Sequence, residues 1–92
     1  MSGHESANDY DHIVTVLNDR WRVIDSNQPY PYRQWILQQR TGNGPRPWIG
    51  RSFCQNRATL ERDIRRKVGD IPEDTKHVLQ ALPDRDMGKI IR

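Results

Sequence analysis

Four side chains could supply nucleophilic or metal chemistry, but their spacing does not favour either. Cys54 could be a nucleophile with His77 or His12 as its base. It ends a predicted strand and carries no family signature around it, so we expect an inert core thiol. The three histidines, including His4, and the cysteine are scattered, without the C-x-x-C or H-x-x-x-H spacing of a metal site. The sequence therefore predicts no catalytic residue, no metal and no cofactor.

Two further motifs have structural explanations. Glu73 and Asp74 fall in the first turn of a predicted helix, where the helix dipole favours acidic side chains. Gly42-Asn43-Gly44 lacks the Gly-Lys-Ser/Thr ending of a phosphate-binding loop and is typical of a hairpin turn. We therefore predict that the protein is not an enzyme. A composite active site built by an oligomer is the alternative.

The basic residues give the stronger functional signal because they are concentrated in one segment. The whole chain carries a net charge of +3, whereas residues 33–67 alone carry +7, from nine basic residues against Glu61 and Asp63. Twelve of the fifteen basic residues are arginines, whose planar guanidinium groups suit phosphate and carboxylate recognition. This pattern favours an anionic partner such as nucleic acid, and a merely solvated charged surface is the alternative.

Length and composition predict one small domain in a reducing compartment. The 92 residues suffice for a single domain, which we place at residues 12–83, between a flexible acidic arm (1–11) and a flexible tail (84–92). One cysteine allows no internal disulfide. The chain has neither an apolar run of the roughly 18–20 residues that span a bilayer nor a secretion-signal pattern near its start. We therefore expect a cytoplasmic protein without a membrane partner or a small-molecule substrate.

The predicted fold is α+β: a three-stranded antiparallel β-meander packed on one amphipathic α-helix, plus a short C-terminal helix. The strands are residues 20–24, 34–40 and 47–54, and a short β-branched run precedes them at 13–17. Gly50 suggests a bulge or a close backbone approach in the last strand. The first helix starts at an Asn56 N-cap, carries Leu60, Ile64 and Val68 on one face, and ends at Gly69. The second helix opens near Pro72.

Period-two alternation assigns the faces of this sheet. The side chains expected to face the helix are Trp21, Val23, Trp35, Leu37, Trp48 and Cys54. The arginine and glutamine side chains then form an open sheet face, and further arginines line the outer face of the helix. The predicted contacts with nucleic acid or another partner are Arg20, Arg22, Gln34, Gln38, Arg40, Arg46, Arg51, Arg62, Arg65 and Arg66. The tryptophans could alternatively stack on single-stranded bases.

The segment RPWIGRSF at residues 46–53, followed at once by a helix, resembles the last strand and helix of ethylene-response-factor DNA-binding domains and the arm-binding domains of some phage integrases. The resemblance covers roughly residues 20–68. It implies a three-stranded sheet laid in the major groove of DNA with a helix packed behind it. The sequence departs from that pattern at Arg57, where those domains carry an acidic or small residue.

A second run, QWILQQR at residues 34–40 with WIGRSFCQNRATLERDIR at 48–65, is similar to small uncharacterised proteins of bacterial chromosomes and prophages. This resemblance implies an alternative function, that of a mobile-element accessory protein acting as anti-CRISPR proteins do. Such a protein would inhibit a host protein or ribonucleoprotein complex by binding it. Arginine and tryptophan are enriched in protein interfaces, so composition does not separate the two functions.

Overall fold

Four strands form one antiparallel sheet in chain order: β1 Ile13–Val16, β2 Trp21–Asp25, β3 Trp35–Arg40 and β4 Trp48–Cys54. Two helices follow, α1 Arg57–Lys67 and α2 Glu73–Gln80. The structure is a computed structural model that describes residues 6–26, 34–45 and 47–82. The α+β class is confirmed, whereas the predicted count of three strands is wrong because the sheet has four.

The additional strand is β1, which forms because a tight turn folds it back onto β2. Backbone amides of Arg20 and Trp21 donate to Oδ1 of Asn18 at 2.8 and 3.0 Å, and the amide of Leu17 donates to the carbonyl of Trp21 at 2.9 Å. The β-branched residues 13–16 then pair with β2. Four residues are too few for a period-two pattern to be read with certainty from the sequence, and only this pairing defines them as a strand.

One face of the sheet packs against both helices and contains the main core. Its buried members are Leu17, Val23, Trp35, Leu37, Cys54, Leu60, Ile64 and Leu79, with Trp21 packed at the side. The apolar stripe of α1 is as predicted, with the Asn56 side chain accepting from the amide of Thr59 at 2.8 Å and Gly69 at a φ of 91° after the helix. In α2, Leu79 is buried, whereas the neighbouring Val78 is 40% exposed.

The other face of the sheet is covered by residues 6–10. Tyr10 packs with Ile24 and Ile36 in a second buried cluster, and its hydroxyl donates to the carbonyl of Asp25 at 2.7 Å. The amide of Trp48 donates to the carbonyl of Ser6 at 3.1 Å. The described part of the segment expected to be a flexible arm therefore packs against the sheet. Residues 1–5 and the tail at 84–92 lie outside the described residues.

A β-bulge in β4 reverses the face of part of that strand. Leu37 pairs with Ser52, but the next residue, Gln38, pairs with Gly50, so Arg51 is an extra residue on β4. Side chains before and after the bulge consequently do not follow one alternation. Cys54 faces the helices as predicted, but Trp48 lies on the opposite face beside Arg22. The prediction that both face the helices is wrong for Trp48.

Candidate nucleic-acid interface

The central arginine of the predicted open face is inside the protein. Arg22 is 1% exposed and Gln38 is 2% exposed. Nε of Arg22 donates to Oε1 of Gln38 at 2.7 Å, NH2 donates to the carbonyl of Ala7 at 2.8 Å, and NH1 donates to the carbonyl of Asn8 at 3.3 Å. These two residues cannot contact a partner in this state. Period-two alternation correctly predicted that both side chains lie on the face away from the helices. It carried no information about the segment that covers this face, residues 6–10.

Trp48 completes this buried polar cluster, which we call the Arg22 cluster (Ala7, Asn8, Arg22, Gln38 and Trp48). The guanidinium carbon of Arg22 lies 4.4 Å from the Trp48 ring centroid, a cation–π contact. The indole Nε1 donates to Oδ1 of Asn8 at 2.7 Å. Burial lowers the pKa of Arg22 to about 10, partly opposed by the electrostatic effect of Tyr10, so the guanidinium stays charged at neutral pH. The cluster fastens the N-terminal segment to the sheet.

The remaining predicted sheet residues are divided among separate places. Gln34 is half-buried and lies immediately before β3. Its backbone amide donates to Oγ of Ser26 at 3.0 Å. Arg51 is exposed at the bulge, and its Nε donates to Oε1 of Gln39 at 2.9 Å. Arg46 lies outside the described residues. The predicted continuous arginine and glutamine face does not form from the described residues.

Arg20 and Arg40 lie together at one end of the sheet. Arg20 is exposed and Arg40 is half-buried, and the amide of Arg40 donates to the carbonyl of Arg20 at 2.7 Å. Nε of Arg40 donates to the carbonyl of Gly42 at 3.1 Å, and NH2 donates to Oδ1 of Asn43 at 3.0 Å. The β3–β4 loop thus holds the Arg40 side chain in one orientation.

The outer face of α1 keeps the arginines that the sequence placed there. Arg62, Arg65 and Arg66 are all exposed, on the side of the helix opposite the buried Leu60 and Ile64. Taking about 100° per residue, the three side chains span an arc of roughly 100°. Because α1 is anchored by its apolar stripe, these guanidinium groups are directed away from the core.

The ion pairs of α1 differ from those expected from i,i+4 spacing. The sequence spacing allows Glu61–Arg65 and Asp63–Lys67 pairs, each one helical turn apart. Instead, Oε1 of Glu61 lies 3.6 Å from Nε of Arg57, and Oδ1 of Asp63 lies 3.4 Å from Nε of Arg62. In the part of the chain that the structure describes, Arg65, Arg66 and Lys67 form no ion pair.

Lys67 is a cation that the sequence reasoning did not include in the interface. Its position on the helical wheel is next to the apolar stripe of Leu60, Ile64 and Val68. Its side chain is exposed at the last residue of α1. The exposed cations of the last turn are therefore Arg65, Arg66 and Lys67.

Cys54 lies in the core, at the position predicted for an inert thiol. It is 1% exposed, and its Sγ lies 3.6 Å from Oδ2 of Asp63. Burial, reinforced by Asp63, raises the pKa of the Cys54 thiol to about 12, so the reactive thiolate does not form near neutral pH. His12 and His77 are both exposed. Among the described residues, no three His, Cys, Asp or Glu side chains cluster as metal ligands would.

No protein-family model, curated protein or solved structure matches this chain. The resemblances to DNA-binding domains and to prophage proteins therefore stay predictions. Neither helix in the described residues combines the length and the apolar character needed to cross a lipid bilayer.

Proposed function

We propose that the protein is a non-enzymatic binding module that engages nucleic acid through the outer face of α1. The observation that carries this proposal is the grouping of Arg62, Arg65 and Arg66 on one exposed helical face, where only Arg62 is paired with a carboxylate, that of Asp63, among the described residues. The sheet face is not part of the proposal, since Arg22 and Gln38 are buried.

The geometry of the face suits a phosphate backbone. Arg62 and Arg66 are separated by one helical turn, about 6 Å along the axis, and Arg65 lies between them on the flank. Each guanidinium presents a planar set of donors that matches phosphate oxygens. Lys67 adds a fourth exposed cation at the end of the same helix. Basic residues in a last turn also stabilise the helix dipole, by about 0.3–1 kcal/mol each, which is the structural alternative to binding.

Such a face should bind duplex without reading its sequence. With three phosphate contacts, the slope of log affinity against log salt should be about −3, and the dissociation constant should lie around 10⁻⁴ to 10⁻⁶ M at physiological salt. Contacts to the backbone position a protein but do not specify a sequence. Base preference is therefore not part of the expected behaviour.

The test is fluorescence anisotropy with a labelled duplex over a salt series. Replacing Arg65 and Arg66 by Gln should weaken binding at least tenfold at low salt and reduce the salt slope by about 2. The matched control compares Arg66→Gln with Val16→Glu, since each lowers the net charge by one and Val16 is 56% exposed on β1. Equal losses in the two single variants would show an effect of net charge alone and overturn the proposed face.

One observation favours the alternative function, inhibition of a host complex by protein contact. Phe53 on β4 is 60% exposed, and its cross-strand partner on β3 is the buried Ile36. Phenylalanine and arginine are both enriched in protein interfaces, and the exposed Arg51 is two residues before Phe53. This alternative predicts negligible affinity for free nucleic acid. It also predicts that Phe53→Ser abolishes retention of a defined partner while Arg65→Gln with Arg66→Gln leaves retention unchanged.

A further inference from the structure

A depression at one end of the sheet is lined by two arginines and includes no residue of α1. It encloses about 430 Å³ and is lined by Asp19, Arg20, Arg40, Thr41, Gly42 and Asn43. Arg20 comes just before β2 and Arg40 is the last residue of β3. The register pairs Trp21 with Gln39, which places Arg20 opposite Arg40 on the neighbouring strand.

The depression carries two positive charges against one negative charge, that of Asp19. Like charges directly opposite each other on paired strands repel. Asp19 also lines the depression, yet among the described residues it forms no ion pair with Arg20 or Arg40. The pair of guanidinium groups therefore leaves an excess of positive charge that an anion would offset.

Arg40 is oriented before any ligand arrives. Its hydrogen bonds to the Gly42 carbonyl and to Oδ1 of Asn43 occupy two of its five N–H donors. The other donors have no partner among the described residues. Holding a long side chain in place normally opposes binding through lost rotamer freedom, and here the loop has already removed most of that freedom. The remaining donors are in position to bond to an incoming oxygen.

The loop also leaves room for a ligand. A Cβ atom placed on Gly42 would meet no atom within 4 Å other than those of its own chain neighbours. The opening is shallow enough to admit a phosphate that is attached to a larger molecule. Two arginines in a polar depression match a tetrahedral oxyanion with several acceptor oxygens better than a single carboxylate.

We infer that the depression formed by Arg20, Arg40 and the β3–β4 loop is a phosphate-binding site. It stands on residues other than those of the α1 face, so it holds whether or not α1 binds nucleic acid. The phosphate could be free or part of a nucleotide chain, and the chemistry at the two arginines is the same in both cases.

The experiment is an amide NMR titration of the full chain with inorganic phosphate, with chloride at equal ionic strength as reference. Phosphate should shift the amides of Arg20 and of residues 40–43 in a saturable manner, and chloride should not. Arg40→Gln and, separately, Arg20→Gln should each weaken phosphate binding about tenfold. Arg20 is exposed, so its variant tests the site without perturbing the loop that Arg40 stabilises.

Two further arms separate this site from the α1 face and identify the source of the phosphate. The variant carrying Arg65→Gln and Arg66→Gln should bind inorganic phosphate as the unchanged protein does. A short single-stranded oligonucleotide that shifts the same amides at lower concentration would identify a nucleotide phosphate as the preferred ligand, whereas a response to inorganic phosphate alone would identify the free anion. Shifts spread over the whole surface, an equal response to chloride, or unchanged affinity in both arginine variants would overturn the inference.

Discussion

Replacing Arg22 by Met is the sharpest test of the structure, because the sequence and the structure predict opposite outcomes. An arginine on an open sheet face would contribute to binding and little to stability. The structure places Arg22 at 1% exposure, with hydrogen bonds to Gln38, Ala7 and Asn8. Methionine keeps most of the aliphatic volume of the side chain and removes all of its donors, so the change isolates the polar contacts.

The expected loss follows from those contacts. A hydrogen bond with a charged partner contributes roughly 1.5–3 kcal/mol, and removing one partner of a buried charged cluster costs about 3–5 kcal/mol. The 4.4 Å contact with Trp48 is lost as well. Water can reach the carbonyls of Ala7 and Asn8 if the segment loosens, so we expect a loss of about 3–4 kcal/mol. A domain of this size has about 5–15 kcal/mol in total, and each kcal/mol corresponds to about 4–8 °C in Tm.

Urea denaturation and thermal unfolding measure this loss, with Arg66→Met as the control. Arg66 is exposed, so its replacement should change stability by no more than about 0.5 kcal/mol. The Trp48 amide donates to the carbonyl of Ser6. In the Arg22 variant, its hydrogen exchange should accelerate more than that of amides that exchange only through global unfolding. The buried placement would be refuted if Arg22→Met changed the free energy of unfolding by no more than about 0.5 kcal/mol and also weakened binding to duplex.

Two further predictions concern β4 and the core thiol. A methyl group on Gly50 would lie 2.6 Å from Cζ of Phe53 and 3.2 Å from Cγ2 of Ile36, so Gly50→Ala should displace the Phe53 ring. A double-mutant cycle by urea denaturation measures this contact. Gly50→Ala should lower the free energy of unfolding by about 1 kcal/mol less when Phe53 is already Ala, and additive effects of the two changes would contradict the contact. For Cys54, whose pKa is raised to about 12, the unfolded state loses the thiol proton near pH 9 while the folded state keeps it. Stability relative to Cys54→Ala should therefore fall between pH 9 and 12, by at most about 1.4 kcal/mol per pH unit, and parallel pH profiles of the two proteins would show that the thiol is not shielded.

The elements defined by local sequence signals could be predicted. Asn56, the apolar positions of α1 and Gly69 act within a few residues of one another, and the helix they indicate is the helix observed. The same holds for the exposed positions of Arg62, Arg65 and Arg66, because helical periodicity fixes them once the buried side is known.

The features that could not be predicted depend on contacts between distant parts of the chain. Gly50 signalled a bulge, but which residue is extra, and hence which side Trp48 takes, depends on pairing with β3. Arg22 is buried because residues 6–10 return to the sheet, and the polar composition of that segment gave no sign of this. The indole of Trp48 bonds to Asn8 across 40 positions of sequence, beyond the range of any local pattern.

The attachment of residues 6–10 also has a consequence for biosynthesis. Asn8 is translated 40 positions before its partner Trp48. Until then, the hydrogen bonds of Ser6 and Asn8 to Trp48 cannot form, so the nascent sheet is more open to association with other chains. Residues 6–10 therefore reach their final positions only after β4 has been made, and long-range contacts of this kind slow folding.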